Sequence, residues 1–589
     1  MHNTRIRQCL ESLLFGAVLA AHLALFTPLT LYLGNSDEFS AGFLAMFPGL
    51  LLSLAAFAVL AGLIGLLLPA RASRAYTGLL ATLGLLVWVQ GNFLVWDYGA
   101  LDGRQIDWAQ RTWRGWLDLS IWLAALMIVL RLRAPRRRIV LNAALAVFAL
   151  QLVSGAVSGA RNSDLLAKSA EIVPGDTALE QVYGFSRSKN VLHLVMDGFQ
   201  ADIFGELVGE DRQGETFADA LDGFTFYRNH LSAFPYTHMS LPALVSGKIY
   251  RNHEPIETFR ANTFGDQSIL RSAIANGYEL DVAAAPALAN WYRLGGYTNT
   301  FDLTDSLHAD PGQAVIDETA QLLDLSLLRS LPHFVKRYVY NEQRWLIQPL
   351  VSESRVSQLQ YFSHRFFLRR WHESMTAERE APVYKMVHLM LSHNPMVVDE
   401  DCEFADQYLY AERENVLNQS RCSLIEAVRL LEKMKHVGVY DQTLIVIMGD
   451  HGAWVRPKGL KVEIASDGTR KPMLLSAAQH ALATPLLAIK MPGGSGSLRF
   501  SDAPTWTADL PDTISTALGF GDDFGRRDIL SLSEDEQRTR RFHYYAYDRA
   551  ELDSDYLEPI QEYLVEGNVY DLSAWRLGEL YEPNSAAGN

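Results

Sequence analysis

The sequence predicts two parts: an α-helical membrane domain of five spans, then an α/β domain whose central, mostly parallel sheet is flanked by helices. Three observations carry this. Apolar residues make up 49% of the 589-residue chain and gather in long runs within the first 160 residues. Beyond residue 189 short β-branched runs alternate with helical stretches, the pattern of a sheet covered on both faces. Several of those runs also end on Asp, His or Asp-His, and the strand C-termini of such sheets are where sites form. The boundaries that follow are 1–160 for the membrane domain, 161–188 for a linker and 189–589 for the α/β domain.

A bilayer takes roughly 20 apolar residues to cross. Runs of that kind lie near 10–33, 41–69, 76–97, 116–132 and 138–158, the fourth being the shortest. The first is too long for the apolar core of a cleaved signal and further spans follow, so it reads as a retained helix. Arg5 and Arg7 precede it, Arg71 and Arg74 lie between spans two and three, and Arg131, Arg133, Arg136, Arg137 and Arg138 lie between spans four and five. The loop Asn35-Ser36-Asp37-Glu38 is acidic, and the one between spans three and four carries Trp96, Trp108, Trp113 and Trp116. Positive loops stay inside and Trp collects at interfaces, so the N-terminus is expected in the cytoplasm and everything after about residue 160 outside it. His22 within span one is read as a packing residue rather than a functional one.

Net charge is −15, which argues against a nucleic-acid partner, since backbone phosphates need clustered cations. Of the three cysteines, Cys402 and Cys422 lie twenty positions apart in the second domain. Outside the cytoplasm the favoured reading is a disulfide, worth about 3 kcal/mol for such a loop, over two free thiols.

Four runs of the second domain read as strands. Asn190-Val-Leu-His-Leu-Val-Met-Asp197 ends on an acid, and Thr443-Leu-Ile-Val-Ile-Met-Gly-Asp450-His451-Gly452 ends on Asp-His-Gly. Tyr384 to His393 ends on a histidine, and Pro485-Leu-Leu-Ala-Ile-Lys490 precedes a Pro-Gly-Gly turn. Asp197, Asp450 and His451 are donors suited to Zn²⁺, Mn²⁺ or Mg²⁺. Singly such residues more often cap helices or turns; together on one sheet edge they form a metal constellation. A reacting group comes from Phe234-Pro-Tyr-Thr237-His-Met-Ser240-Leu-Pro242, which follows the strand-like Gly223-Phe-Thr-Phe-Tyr and leads into a helix. Either hydroxyl caps that helix, or one of them is a metal-activated nucleophile at a helix N-terminus that favours phosphate. The residues alone do not choose between Thr237 and Ser240. Leu322 to Trp345 mixes apolar residues with Lys and Arg. It reads as an ordinary amphipathic helix packed on the soluble domain, with an interfacial helix beside a lipid substrate as the lesser reading.

Asn190-Val-Leu to Asp197, then Thr237-x-x-Ser240-x-Pro242 to Gly247, then Asp450-His451-Gly452, in that order, resemble the alkaline phosphatase superfamily. The resemblance is to its sulfatase-like branch, which includes phosphoethanolamine transferases and lipoteichoic acid synthases and pairs five N-terminal spans with an extracytoplasmic catalytic domain. It covers nearly the whole chain. It implies an alkaline-phosphatase-like α/β domain in a bacterial inner-membrane protein, with that domain periplasmic or otherwise extracytoplasmic. It implies one divalent ion, Zn or Mn, held by Asp197, Thr237, Asp450 and His451, with Thr237, five positions before Pro242, as nucleophile. His393 and Ser240 are then substrate-binding, with His393 matching a histidine that contacts the transferred phosphate or a second metal, and Asp509-Leu-Pro-Asp-Thr513 resembles the segment that closes the domain. Leu244 stands where sulfatases carry an arginine, which counts against a sulfatase. No cysteines flank Thr237, where phosphoethanolamine transferases usually carry them. His480 is wrongly spaced from Pro485 for the histidine that follows Asp-His-Gly in those enzymes, which counts against a second metal. The implied function is transfer of a phospho-head group, phosphoethanolamine or phosphoglycerol, from a membrane phospholipid to an envelope glycan or lipid through a phospho-threonine. The alternatives are a phosphodiesterase or sulfuric ester hydrolase, or a non-catalytic lipid-binding regulator.

Overall fold

The computed structural model describes residues 2–36, 39, 41–96, 98, 106, 108–109, 112–167, 181–209, 217–303, 311–341, 345–351, 360–461, 474–546 and 555–583. Asp37 and Glu38 of the acidic loop, and 168–180 of the linker, lie outside these. The chain forms two compact units: one of Met1–Tyr98, Gln105–Val173 and His308–Arg355, the other of Gly99–Arg104, Pro174–Leu307 and Val356–Asn589.

Among the described residues, the first unit holds five helices long and apolar enough to cross a membrane: α1 (Arg5–Gly34), α2 (Phe43–Leu67), α3 (Ala70–Asn92), α4 (Thr112–Arg131) and α5 (Ala134–Arg161). Their ends differ from the apolar runs by several residues. Arg71 and Arg74 lie inside the first turns of α3, because helical hydrogen bonding continues past the apolar stretch. Small residues let α1 and α2 approach closely. A Cβ on Gly16 would stand 2.5 Å from that of Ala61, and one on Gly65 would stand 2.2 Å from Ser12 Oγ. His22 sits in a π-helical turn of α1, buried and 6.0 Å from the Phe26 ring. Among the described residues, the insertion 308–355 adds three helices to this unit: α6 (Pro311–Ser330), α7 (His333–Tyr340) and α8 (Gln348–Val351). The amphipathic stretch assigned to the soluble domain thus packs on the spanning helices instead. Glu318 Oε2 accepts from Ala41 N (2.9 Å), and Ser326 Oγ donates to Leu23 O (2.6 Å).

The second unit is built on an eight-stranded sheet of β1 (Asn190–Met196), β2 (Phe224–Tyr227), β3 (Glu279–Ala284), β4 (Thr300–Asp302), β5 (Val383–Leu389), β6 (Thr443–Met448), β7 (Leu487–Lys490) and β8 (Arg499–Ser501). Their order is β8-β2-β7-β6-β1-β5-β3-β4. Only β7 runs against its neighbours, β6 and β2. The central strands are apolar throughout because both faces are covered. Alternation along β1 sends Leu192, Leu194 and Met196 into one core and Val191 and Val195 into the other. A three-stranded antiparallel sheet, β9 (Thr539–Tyr544), β10 (Ile560–Glu566) and β11 (Trp575–Tyr581), packs with a third core around Phe234, Trp506 and Phe542. Cys402 and Cys422 form a disulfide.

Asp281 on β3 faces Lys385 on β5 in register, and both are buried. Lys385 Nζ donates to Asp281 Oδ2 at 2.7 Å, and Arg379 NH1 donates to the same oxygen. Burial pulls the Lys385 ammonium down to about 8, with Asp281 opposing that fall. Asp281→Ala leaves a buried cation without its counter-charge and is expected to cost about 3 kcal/mol of stability, read from urea or thermal unfolding.

Candidate metal centre and nucleophile

The two central parallel strands deliver the acids. β1 ends one residue before Asp197, and β6 ends two before Asp450; both carboxylates are fully buried. Asp197 is fixed by its backbone: its N donates to Leu389 O (2.9 Å) and its carbonyl accepts from Ser392 Oγ (2.8 Å). Asp450 Oδ1 accepts from Gly198 N at 3.2 Å, across a turn in which Gly198 takes φ +69°. The glycine of the Asp-His-Gly motif has a packing reason, since a Cβ on Gly452 would lie 2.1 Å from Ala481 O.

The imidazoles are oriented as ligands. His451 Nδ1 donates to Gly452 O (2.9 Å), which leaves the Nε2 lone pair facing Asp197 Oδ1 (3.4 Å) and Asp450 Oδ2 (3.6 Å). His393 Nδ1 bonds Asn394 O (2.6 Å), and its Nε2 is 3.9 Å from Asp197 Oδ1. β5 stops at Leu389, so His393 lies in the loop beyond the strand rather than at its end. It remains partly exposed, on the open side of the cluster.

Thr237 opens the helix Thr237–Ser246. Its Oγ1 donates to Asp197 Oδ2 (3.1 Å) and stands 3.4 Å from His451 Nε2. Neither hydroxyl caps the helix: Tyr236 is the N-cap, without a side-chain bond. Ser240 is fully buried, donates to Phe234 O (3.0 Å) and lies 3.2 Å from Ser232 Oγ. The structure therefore brings Asp197, Thr237, Asp450, His451 and His393 together, while Ser240 points into a separate hydroxyl network that supports the Asp450 loop through Ser232 Oγ and Asp450 O (3.0 Å). Asp509 is buried against Arg538 at 2.7 Å, and His480 bonds Val569 O at 2.6 Å.

Two buried carboxylate oxygens, Asp197 Oδ1 and Asp450 Oδ2, have no hydrogen-bond partner among the described residues. Orphaned acceptors of this kind, beside an imidazole lone pair, are what a divalent cation satisfies. Asp197, His393 and His451, and likewise Asp197, His388 and Asp450, offer ligand atoms within 4.8 Å of one another. Burial works against ionisation of Asp197, yet His393, His388 and His451 more than offset it and hold the carboxyl well below its usual range. His451 is the reverse: burial opposes its charge, but Asp450 and Asp197 lift its pKa above the ordinary 6.5. A metal ligand must be neutral imidazole, so protons compete with the metal. Metal affinity is expected to fall as pH drops through that raised pKa, and metal titrations between about pH 5.5 and 8 check this.

The residue that the sequence did not flag is His388. It is buried on β5, opposite Val195, and its Nε2 donates to Asp197 Oδ2 at 3.0 Å. The only signal was a polar residue amid an apolar strand. His388→Ala frees one oxygen of Asp197 to rotate and is expected to weaken metal binding about 10- to 100-fold, measured by competition with a chromophoric chelator.

Residues 189–520, more than half of the chain, match the Sulfatase family. The protein belongs to this family, and with it to the alkaline phosphatase superfamily of phosphotransferases and hydrolases. Among solved structures, the chain is similar to the lipoteichoic acid synthase LtaP from Listeria monocytogenes (13% identity, 68% of this chain and 91% of that one, TM-score 0.37). It is similar to the phosphonate monoester hydrolase SpPMH from Silicibacter pomeroyi (13%, 67% and 89%, TM-score 0.33). It is also similar to the C-terminal periplasmic domain of EcEptC from Escherichia coli in complex with Zn (13%, 60% and 89%, TM-score 0.33). No curated protein sequence matches the chain.

Proposed function

We propose that this protein is a membrane-anchored transferase that takes a phospho-head group, phosphoethanolamine or phosphoglycerol, from a membrane phospholipid and passes it to an envelope glycan or lipid. The carrying observation is the placement of Thr237 Oγ1, 3.1 Å from Asp197 Oδ2, at a helix N-terminus and beside two carboxylate oxygens that no donor satisfies.

Asp197, Asp450, His451 and Thr237 would hold a divalent ion, Zn or Mn. When bound, it supplies charge that lowers the hydroxyl pKa and offsets negative charge on the phosphoryl oxygens. Asp197, already ionised in the folded protein, accepts the Thr237 hydroxyl hydrogen bond and aligns Oγ1. Thr237 Oγ1 attacks phosphorus, the bond from phosphorus to the lipid oxygen breaks, and diacylglycerol leaves with a proton. The acceptor hydroxyl then attacks the phospho-threonine and restores Thr237. His393, on the open side, contacts the transferred phosphate. Water in the acceptor's place makes the same residues a phosphodiesterase. The five spans favour a donor that resides in the bilayer, and the arginine pattern supports a catalytic unit outside the bacterial inner membrane.

Burial of Ser240 within its hydroxyl network counts against its conversion to the formylglycine of sulfatases. Mass spectrometry of envelope lipids and glycans with and without the active protein tests the reading. A head-group-modified product that depends on Thr237 supports it, and an unchanged envelope overturns it.

A further inference from the structure

The chain leaves the second unit after residue 307 and returns to it at 356, and what lies between belongs to the membrane unit. Its level is set by connectivity. α4 and α5 are joined only by Leu132 and Arg133, so Thr112 at the start of α4 and Arg161 at the end of α5 share one face of the membrane. α7 packs on that first turn of α4. The Phe334 ring is 5.3 Å from that of Trp116, and a Cβ on Gly115 would lie 2.7 and 2.8 Å from Phe334 and His333.

The docked side is polar and satisfied. Asp118 of α4, fully buried, accepts from Gln90 Nε2 (3.2 Å), Trp96 Nε1 (3.1 Å) and the backbone N of His333 (3.0 Å). His333 Nδ1 bonds Tyr98 OH at 2.8 Å, and Lys336 Nζ donates to Arg329 O at 2.9 Å. Asp324 of α6 accepts from the backbone N of Leu346 (3.2 Å), Ile347 (2.9 Å) and Gln348 (2.9 Å), which fixes the start of α8. The opposite side is apolar and open. Tyr338 is 61% exposed and Leu350 80%, with Val335, Leu346 and Val351 also exposed. This strip is continuous with Trp113 and Trp116, which stand exposed on the same end of α4.

We propose that α7 and α8 form an in-plane membrane element whose exposed side chains, Val335, Tyr338, Leu346, Leu350 and Val351, sit at the boundary between head groups and acyl chains. The occupant of this face is the phospholipid leaflet itself. The strip prolongs the exposed apolar end of α4, and apart from Arg337 and Asn341 its exposed side chains are apolar or aromatic. An aromatic ring with Arg337 stacked on it (4.6 Å) is also the amphipathic chemistry that interfaces collect. The second unit is then tied to the bilayer twice, at the end of α5 and through this insertion. The inference does not depend on which ester the catalytic site takes.

The test uses the full chain with Cys9→Ser, in nanodiscs of phosphatidylethanolamine and phosphatidylglycerol. Spin labels are placed at Leu350→Cys, at Tyr338→Cys and, as a control, at the exposed Leu577→Cys of β11. All three positions are exposed, so the substitutions leave the core intact. Collision with oxygen, which partitions into lipid, is compared with collision with a water-soluble nickel chelate. The oxygen-to-nickel ratio at 350 and 338 is expected to exceed that at 577 by about tenfold. A ratio at both positions equal to that at 577 overturns the proposal. So does protection from both reagents, which would mean that protein covers the face.

Discussion

Replacing Thr237 by alanine is expected to cut turnover by at least about a thousandfold, with bound metal and thermal unfolding unchanged. Oγ1 is the one hydroxyl among the described residues that bonds a side-chain carboxylate of the cluster. The methyl group that remains keeps most of the contacts of the first helical residue, so the loss falls on chemistry rather than folding. Thr237→Ser retains the nucleophile and is expected to recover most of the turnover. Ser240→Ala marks the contrast. It removes a buried hydrogen bond to Phe234 O and is expected to cost about 1 kcal/mol of stability with turnover changed only a few-fold. A thousandfold loss at Ser240 with little at Thr237 would reverse the assignment of the two hydroxyls.

Asp450→Ala is expected to remove the metal altogether, and with it activity, to the floor set by Thr237→Ala. Asp450 Oδ2 is buried without a hydrogen-bond donor, and its carboxylate also raises the affinity of His451 for positive charge. With Asp450 gone, Asp197, His451 and the neutral Thr237 hydroxyl remain of the four proposed ligands, and one carboxylate stands where two faced the ion. Elemental analysis of the purified full chain reads metal stoichiometry directly. The two substitutions should not add, because they disable one unit. A double variant no slower than either single one is the expected result.

How much of this was legible in the sequence varies with the physics behind each feature. The five spans were plain, because nothing but a bilayer or a deep core explains such apolar runs. Their ends shifted because Arg71 and Arg74 continue a helix as readily as they flank one. The acids at the ends of β1 and β6 were legible, since a buried strand that finishes on Asp advertises a rim. The direction of β7 was not, because Leu487 to Lys490 reads as an apolar strand whichever way it runs. His388 escaped because its meaning comes from lateral pairing: only the β1–β5 register sets it beside Asp197. The segment 308–355 was recognisable as amphipathic, but a periodic apolar face does not say what covers it. The cover turned out to be the spanning helices on one side.

The proposal that Thr237 carries the phosphoryl group is open to one direct reading. The full-length protein would be incubated with a head-group-labelled phospholipid and no glycan acceptor, quenched in acid, digested and sequenced by mass spectrometry. The expected result is the head-group phosphate on the peptide at Thr237, absent from the Asp450→Ala variant. Label on another side chain, or turnover of the lipid with Thr237 never modified, would contradict it.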